Sequence, residues 1–160
     1  MRNHSVLALI ALALAASATP TSAQTAADSS RVELAVARFI APTVEPGTVL
    51  ESRLRLQGAR NPAPPERSGS AGLATILGTR VGHLEDAFNC DAHCKLHNVS
   101  EVLAIEAPHF SGDSAWLNVE RVRYPSTDGR STPVLEGQVY ILRRQGDQWT
   151  VVGLGTHSIS

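Results

Sequence analysis

The sequence has no excess of charge of either sign. Its 14 Lys and Arg residues stand against 15 Asp and Glu. That balance gives no electrostatic case for a nucleic-acid partner or for an anionic membrane surface. The basic residues are also scattered, apart from Arg121 to Arg123 and the pair Arg143, Arg144. After the first apolar stretch the chain has no run approaching the ~20 residues that a membrane-spanning helix requires. No Lys follows the Gly-rich "SGSAG", so it is not a phosphate loop. Internal repeats and long low-complexity tracts are missing, and no Ser/His/Asp arrangement stands out. Cysteine is nearly absent: Cys90 and Cys94 are the only two.

What is present begins at the N-terminus. "MRNHSVLALIALALAASATPTSAQ" has a short polar start with Arg2 and His4, then an apolar run from Val6 to Ala16. Small residues at Thr21 and Ala23 precede Gln24. This is the pattern of a secretory signal peptide over residues 1–23, cut between Ala23 and Gln24. The apolar run is only ~11 to 13 residues, short for a span. No cysteine stands just after it, which argues against a lipid-modified terminus. The expectation is an exported protein, periplasmic or extracellular, with residues 24–160 forming one domain.

Gln24 to Ala27 reads as a loose tail. "SSRVELAVARFIAP" follows, with Val32, Ala35, Val36, Phe39 and Ile40 on one helix face. Ser30 and Glu33 have capping-box spacing, and Pro42 ends the helix. "GTVLESRLRLQG" changes rhythm: Leu50, Leu54 and Leu56 alternate with Glu51, Arg53 and Arg55, as in a half-buried strand. A Pro-rich loop occupies 58–68. "SAGLATILGT" then predicts a short helix, with Ser70 as its cap and Gly78 as its stop.

From Val99 on, four segments rich in Val, Ile, Leu, Tyr and Trp predict strands: "VSEVLAIEA", "SAWLNVERVRY", "PVLEGQVYILRR" and "QWTVVGLGTHS". Their separators carry Gly-Asp or Asp-Gly turn pairs. Four strands joined by short turns make an antiparallel meander. Its alternation slips at Glu120 and Arg121, where a β-bulge would reconcile the two registers. Gly137, Gly153 and Gly155 inside strands imply bends. The fold class is therefore α+β, with N-terminal helices packed on a curved antiparallel meander of at least four strands.

The helix "SSRVELAVARFI" and the closing strands "VLEGQVYILRRQGDQWTVVGLGTHS" resemble the nuclear transport factor 2-like superfamily, a cone-shaped α+β fold. Trp149 takes the aromatic place that commonly starts the final strand there. The resemblance implies a pocket between sheet and helices and a tendency to form homodimers. The second N-terminal helix of that superfamily has no counterpart, and the Pro-rich loop intrudes.

"NCDAHCKLH" raises two chemistries. On a helix, Cys90, His93, Cys94 and His97 share one face, but that face is about 10 Å long. A zinc ion holds its ligands at ~2.0 to 2.3 Å, so one face supplies two of them. Export favours a disulfide between Cys90 and Cys94 instead. A bridge needs Cα atoms ~4.4 to 6.8 Å apart. The spacing therefore demands that "CDAHC" be a turn, since a strand would hold its ends about 13 Å apart.

The acid–base candidates are His83, Glu85, Asp86, His109, Asp113 and His157. His109 and His157 lead because strand ends rim a pocket in this kind of fold. No cofactor is indicated. The sequence reading is a binder of a small apolar molecule or a protein partner. A small isomerase, cyclase or hydrolase and a dimeric assembly module are the alternatives.

Overall fold

A computed structural model describes residues 22–52, 69–83, 88–90, 94–96, 99–123 and 134–156. The Pro-rich loop at 58–68 lies outside them, as do Glu85, Asp86, His93, His97 and His157.

Helix α1 runs from Ser22 to Ile40. It begins well before Ser30, so the expected cap and the loose tail at Gln24–Ala27 are both corrected. Ser30 sits inside the helix, its hydroxyl donating to the Ala26 carbonyl at 3.3 Å. Ser29 donates likewise to Thr25 at 2.9 Å. Such back-bonds occupy serine hydroxyls within a helix instead of at its start. Ala-rich "SAQTAAD" has the propensity to extend the helix backwards, and Arg144 anchors Asp28 at 3.3 Å. Pro42 acts as expected: the helix stops at Ile40 and a 3-10 turn, Ala41–Thr43, follows.

The buried stripe of α1 is Val32, Val36, Ala37 and Ile40. Phe39 was expected in it but is 52 % exposed. Its ring instead meets the edge of Tyr140, with centroids 5.9 Å apart.

Strands β1 (Val49–Glu51), β2 (Arg80–Gly82), β5 (Glu101–Ile105), β6 (His109–Ser111), β7 (Ser114–Arg123), β8 (Val134–Gln145) and β9 (Gln148–Thr156) form one mixed sheet. Its order is β2-β1-β5-β7-β8-β9, with β6 pairing beside β5's place on β7. β5, β7, β8 and β9 pair antiparallel in chain order. β1 is parallel to both β2 and β5, which the sequence did not indicate. Helix α2 (Ser70–Leu77) lies between β1 and β2 in the chain, and a crossover of this kind is what parallel neighbours need. Gly78 ends α2 in the left-handed region, φ 66°. Ser70 is the first helical residue of α2, not its cap; Gly69 holds that position.

The Gly-Asp separators do what their chemistry requires. Gly112 and Gly146 take φ of 57° and 61° in the β6–β7 and β8–β9 turns. Positive φ there matches the twist of the flanking strands.

α1 and α2 cover the inner face of this sheet. Leu103, Ile105, Leu117, Val119, Leu142 and Trp149 meet Val32, Val36, Ile40, Leu73 and Leu77 in one core. Each fully buried Leu or Ile contributes about 1.5 to 3 kcal/mol. β1 is buried along its whole length, including Glu51, so the alternation fails at that residue; Arg53, Leu54, Arg55 and Leu56 lie outside the described residues. Val102 and Ala104 on the outer face of β5 are buried too.

The bulge expected at Glu120/Arg121 is absent. β7 and β8 stay in unbroken register from Ser114↔Arg143 to Arg123↔Val134. Arg121 and Arg123 simply occupy inner-face positions, continuing the row of Leu117 and Val119. They are held there by Glu101, which is fully buried and directly opposite Arg123. The slip in hydrophobic rhythm is thus a change of chemistry along one face. A register shift does occur between β8 and β9, where Ile141 pairs Gly153 and Leu142 pairs Val151. Val152 is the extra residue.

A second ladder stands apart. β3 (Phe88–Cys90) and β4 (Cys94–Leu96) pair antiparallel, with Cys90 opposite Cys94. Both cysteines stand on paired strands, so Cys90 and Cys94 do not share a helical face.

Candidate functional site

α1 carries two stripes. Beside its buried one, Arg31, Leu34, Ala35, Arg38 and Phe39 recur at i, i+3, i+4, i+7 and i+8. These residues wall one side of a groove of about 600 Å³. The other wall is Asp147, Gln148, Trp149, Thr150 and Val151. Asp147 belongs to the β8–β9 turn, and the other four, Gln148 to Val151, are consecutive in β9 and alternate between its faces. The wall is therefore the outer edge of β9, not one of its surfaces.

The helix runs alongside this strand in the same direction. Asp28, near its start, is held by Arg144, whose cross-strand neighbour is Trp149. Phe39, near its end, meets Tyr140, whose neighbour is Leu154. Eleven residues of helix and five of strand each cover about 17 Å, so the two stay in step.

Most of the lining is apolar, which suits a binding cleft with few polar groups. Trp149 is its most buried member, and Phe110 meets the indole edge-on at 5.7 Å. The buried Trp149 Nε1 has no hydrogen-bond partner among the described residues. Arg31 lies 3.6 Å from Asp28. Arg38 has no hydrogen-bond or ion-pair partner among the described residues.

The acid–base candidates are elsewhere. His83 follows β2, with Nδ1 at 2.8 Å from the Ser52 hydroxyl and 3.7 Å from Glu51 Oε1. Glu51 and Ser52 are buried at the carboxyl end of β1. Both groups approach the same ring nitrogen. A Ser-His-acid relay uses one nitrogen for each partner, so this cluster does not have that geometry. Sequence reasoning missed Glu51 and Ser52, because period two placed Glu51 in solvent.

His109 lies on the outer sheet face, opposite the groove side. It stacks on Trp116 with centroids 5.6 Å apart and planes at 16°. Asp113 belongs to the β6–β7 turn, where its carbonyl accepts from the Arg144 amide at 2.9 Å. The structure therefore brings neither His83, His109 nor Asp113 into the groove. Among the described residues, no group of three or more His, Cys, Asp and Glu is placed to hold a metal ion. No described helix is long and apolar enough to cross a membrane.

The remaining charge cluster is structural. Glu101 Oε2 accepts from Arg123 Nε and lies 3.6 Å from Arg121 Nη1. Arg121 also donates to the Thr43 carbonyl and hydroxyl, at 3.1 and 2.8 Å, tying the sheet to the end of α1. Burial works against the Arg123 charge, but the hydrogen bond and charge of Glu101, with Glu136 and Glu45 behind it, outweigh that cost. The guanidinium pKa is raised. Burial also raises the Tyr140 phenol, against the nearby Arg121.

No known protein family, curated protein or solved structure matches this chain.

Proposed function

We propose that the protein is an exported binding module whose α1–β9 groove takes an apolar ligand. The observation that carries this reading is the groove itself: a helix stripe and a strand edge enclosing about 600 Å³, with Leu34, Ala35, Phe39, Trp149 and Val151 in its lining. The lining has one carboxylate, Asp147, and no histidine. That set favours retention of a ligand over proton transfer. Export is supported by the signal-peptide pattern of residues 1–23. Kinship with the nuclear transport factor 2-like superfamily rests on the order of elements alone.

A disulfide between Cys90 and Cys94 belongs to the same reading. Directly opposed residues of an antiparallel ladder have Cα atoms ~4.5 to 5.5 Å apart. That lies within the range of a bridge. The proximity comes from strand pairing across a loop, not from the helical turn first expected.

The groove is tested with anilinonaphthalene sulfonate, an apolar anionic fluorophore. Its emission should rise on binding and quench Trp149 in a Trp116→Phe background. Ala35→Trp, which fills the groove from the helix side, should abolish both signals while leaving the far-ultraviolet circular dichroism unchanged. Equal binding by wild type and Ala35→Trp would sink the reading.

A dimeric module is the second reading. Trp116 and Ile141 are cross-strand neighbours on the outer sheet face, 41 % and 38 % exposed. Exposed apolar neighbours of this kind mark interaction surfaces when they are contiguous. Ile141→Glu should then convert a sedimenting dimer to a monomer; a wild-type monomer at high concentration excludes it.

A further inference from the structure

The groove has a wall that small-molecule pockets seldom have: the unpaired edge of a sheet. β9 ends the strand order, and among the described residues nothing pairs with its outer side. An open edge presents backbone N–H and C=O groups ready to bond another strand. Natural sheets blunt such edges with charge, proline or brevity. The opposite edge follows that rule, since β2 is three residues long and begins with Arg80. β9 does not: "QWTVVGLGT" has nine residues, no charge and no proline. Its one protective device is the bulge at Val152, which confines regular pairing to the stretch before it. That stretch is the part that lines the groove.

We propose that the α1–β9 groove is a strand-addition site. Its occupant is an extended peptide segment of a partner protein that pairs antiparallel with β9 over Gln148–Val151. The inference rests on the binding reading above and names the ligand class. Main-chain hydrogen bonds to the edge supply affinity, and alternate side chains reaching the groove supply selectivity. Leu34, Ala35, Phe39 and Trp149 select apolar side chains at those alternate positions.

Charge fixes one more feature. Arg38 lines the groove beside Phe39 and has no partner among the described residues, whereas Asp147 lines its other end, where Arg31 lies 3.6 Å from Asp28. The peptide runs against β9, so its N-terminal part lies toward Phe39 and Arg38. An Asp or Glu there meets the Arg38 guanidinium, and the same residue at the C-terminal end meets Asp147. The recognised segment is acidic first and apolar at alternate positions after it. A second copy of β9 fits less well, because that strand has no acidic residue.

The test is selection of random heptapeptides displayed on phage against the whole protein, with counter-selection on Ala35→Trp. Selected sequences should alternate apolar residues and carry Asp or Glu near the N-terminal side. A synthetic copy N-methylated at alternate residues should bind on the order of tenfold more weakly or worse, as loss of backbone bonds requires. Arg38→Glu should cost a similar factor for the acidic peptide and not for its Asn or Gln counterpart. Hydrogen exchange should slow at the alternate amides of residues 148–151 that point away from β8 when the peptide binds.

Equal binding of the N-methylated peptide would overturn strand addition, as would a complex that leaves those amides unprotected. Protection of residues 148–151 in a peptide-free dimer would replace the partner peptide with a second copy. If anilinonaphthalene sulfonate still binds in an Ala35-dependent way but no peptide is selected, this inference alone fails. If neither binds, the groove reading fails with it.

Discussion

Arg123 and Glu101 face each other across the β7–β5 ladder, and Arg123 Nε donates to a carboxylate with no solvent exposure. The second oxygen, Glu101 Oε1, has no hydrogen-bond partner among the described residues. One charged atom therefore carries all the compensation for burying the group. Removing one member of a buried pair costs about 3 to 5 kcal/mol, because the other charges stay desolvated. Glu101→Ala should lose stability in that range by urea unfolding. Arg121 is 12 % exposed in its side chain, so Arg121→Ala should also destabilise the fold, in part by freeing Thr43 from the sheet. A Glu101→Ala variant as stable as wild type would show that the cluster is solvated.

Tyr140 gives the fold an alkaline limit. Its phenol pKa is raised above the ordinary value of 10.0, by burial first. The folded state therefore holds the proton more tightly than the unfolded chain does. That contribution to stability is complete below about pH 10 and is lost as pH rises through the folded pKa. Thermal unfolding followed from pH 8 upward should show a decline above about pH 10 that Tyr140→Phe reduces. The same decline in the variant would assign it to other groups.

The glycines of β8–β9 separate conformational need from space. Gly146 has φ 61° in a tight turn, where an L-residue costs roughly 1 to 2 kcal/mol. Gly146→Ala should lower stability by about that amount. Gly153 has no positive φ, and a Cβ there meets nothing within 4 Å. Gly153→Ala should be neutral or slightly stabilising, since it restricts the unfolded chain. Chemical denaturation of the two variants compares them directly.

The proposed Cys90–Cys94 bridge has a mass signature. Protein recovered from the exported fraction should start at Gln24 and be lighter than its reduced form by two hydrogens. Reduction should cost ~2 kcal/mol, the chain-entropy value for so short a loop. Two titratable thiols in the denatured, unreduced protein would remove the bridge.

Local chemistry was legible in the sequence, and chemistry that depends on distant partners was not. The strands β7, β8 and β9 declare themselves through β-rich segments and Gly-Asp turns, each a property of a few neighbouring residues. Gly78 and Pro42 mark helix ends for the same reason. Arg121 and Arg123 misled because their inward placement depends on Glu101, some twenty residues earlier in the chain. Glu51 misled because its burial at 4 % exposure is a tertiary property that a two-residue period does not report. The groove stripe, Arg31, Leu34, Ala35, Arg38 and Phe39, was missed, because Ala35 and Phe39 were assigned to the buried face. What made the stripe a wall was β9, over a hundred residues away, and no helical period reports that.

The bulge at Val152 leaves β9 with one residue more than its ladder uses. Trp149 and Val151 face inward before it, and Leu154 and Thr156 face inward after it, so odd positions give way to even ones. Deleting Val152 would restore a plain alternation and keep every other side chain on its present face. The same deletion within β7 would turn half of its strand inside out. Length variation in the closing hairpin is therefore tolerated at one point and forbidden at its neighbours.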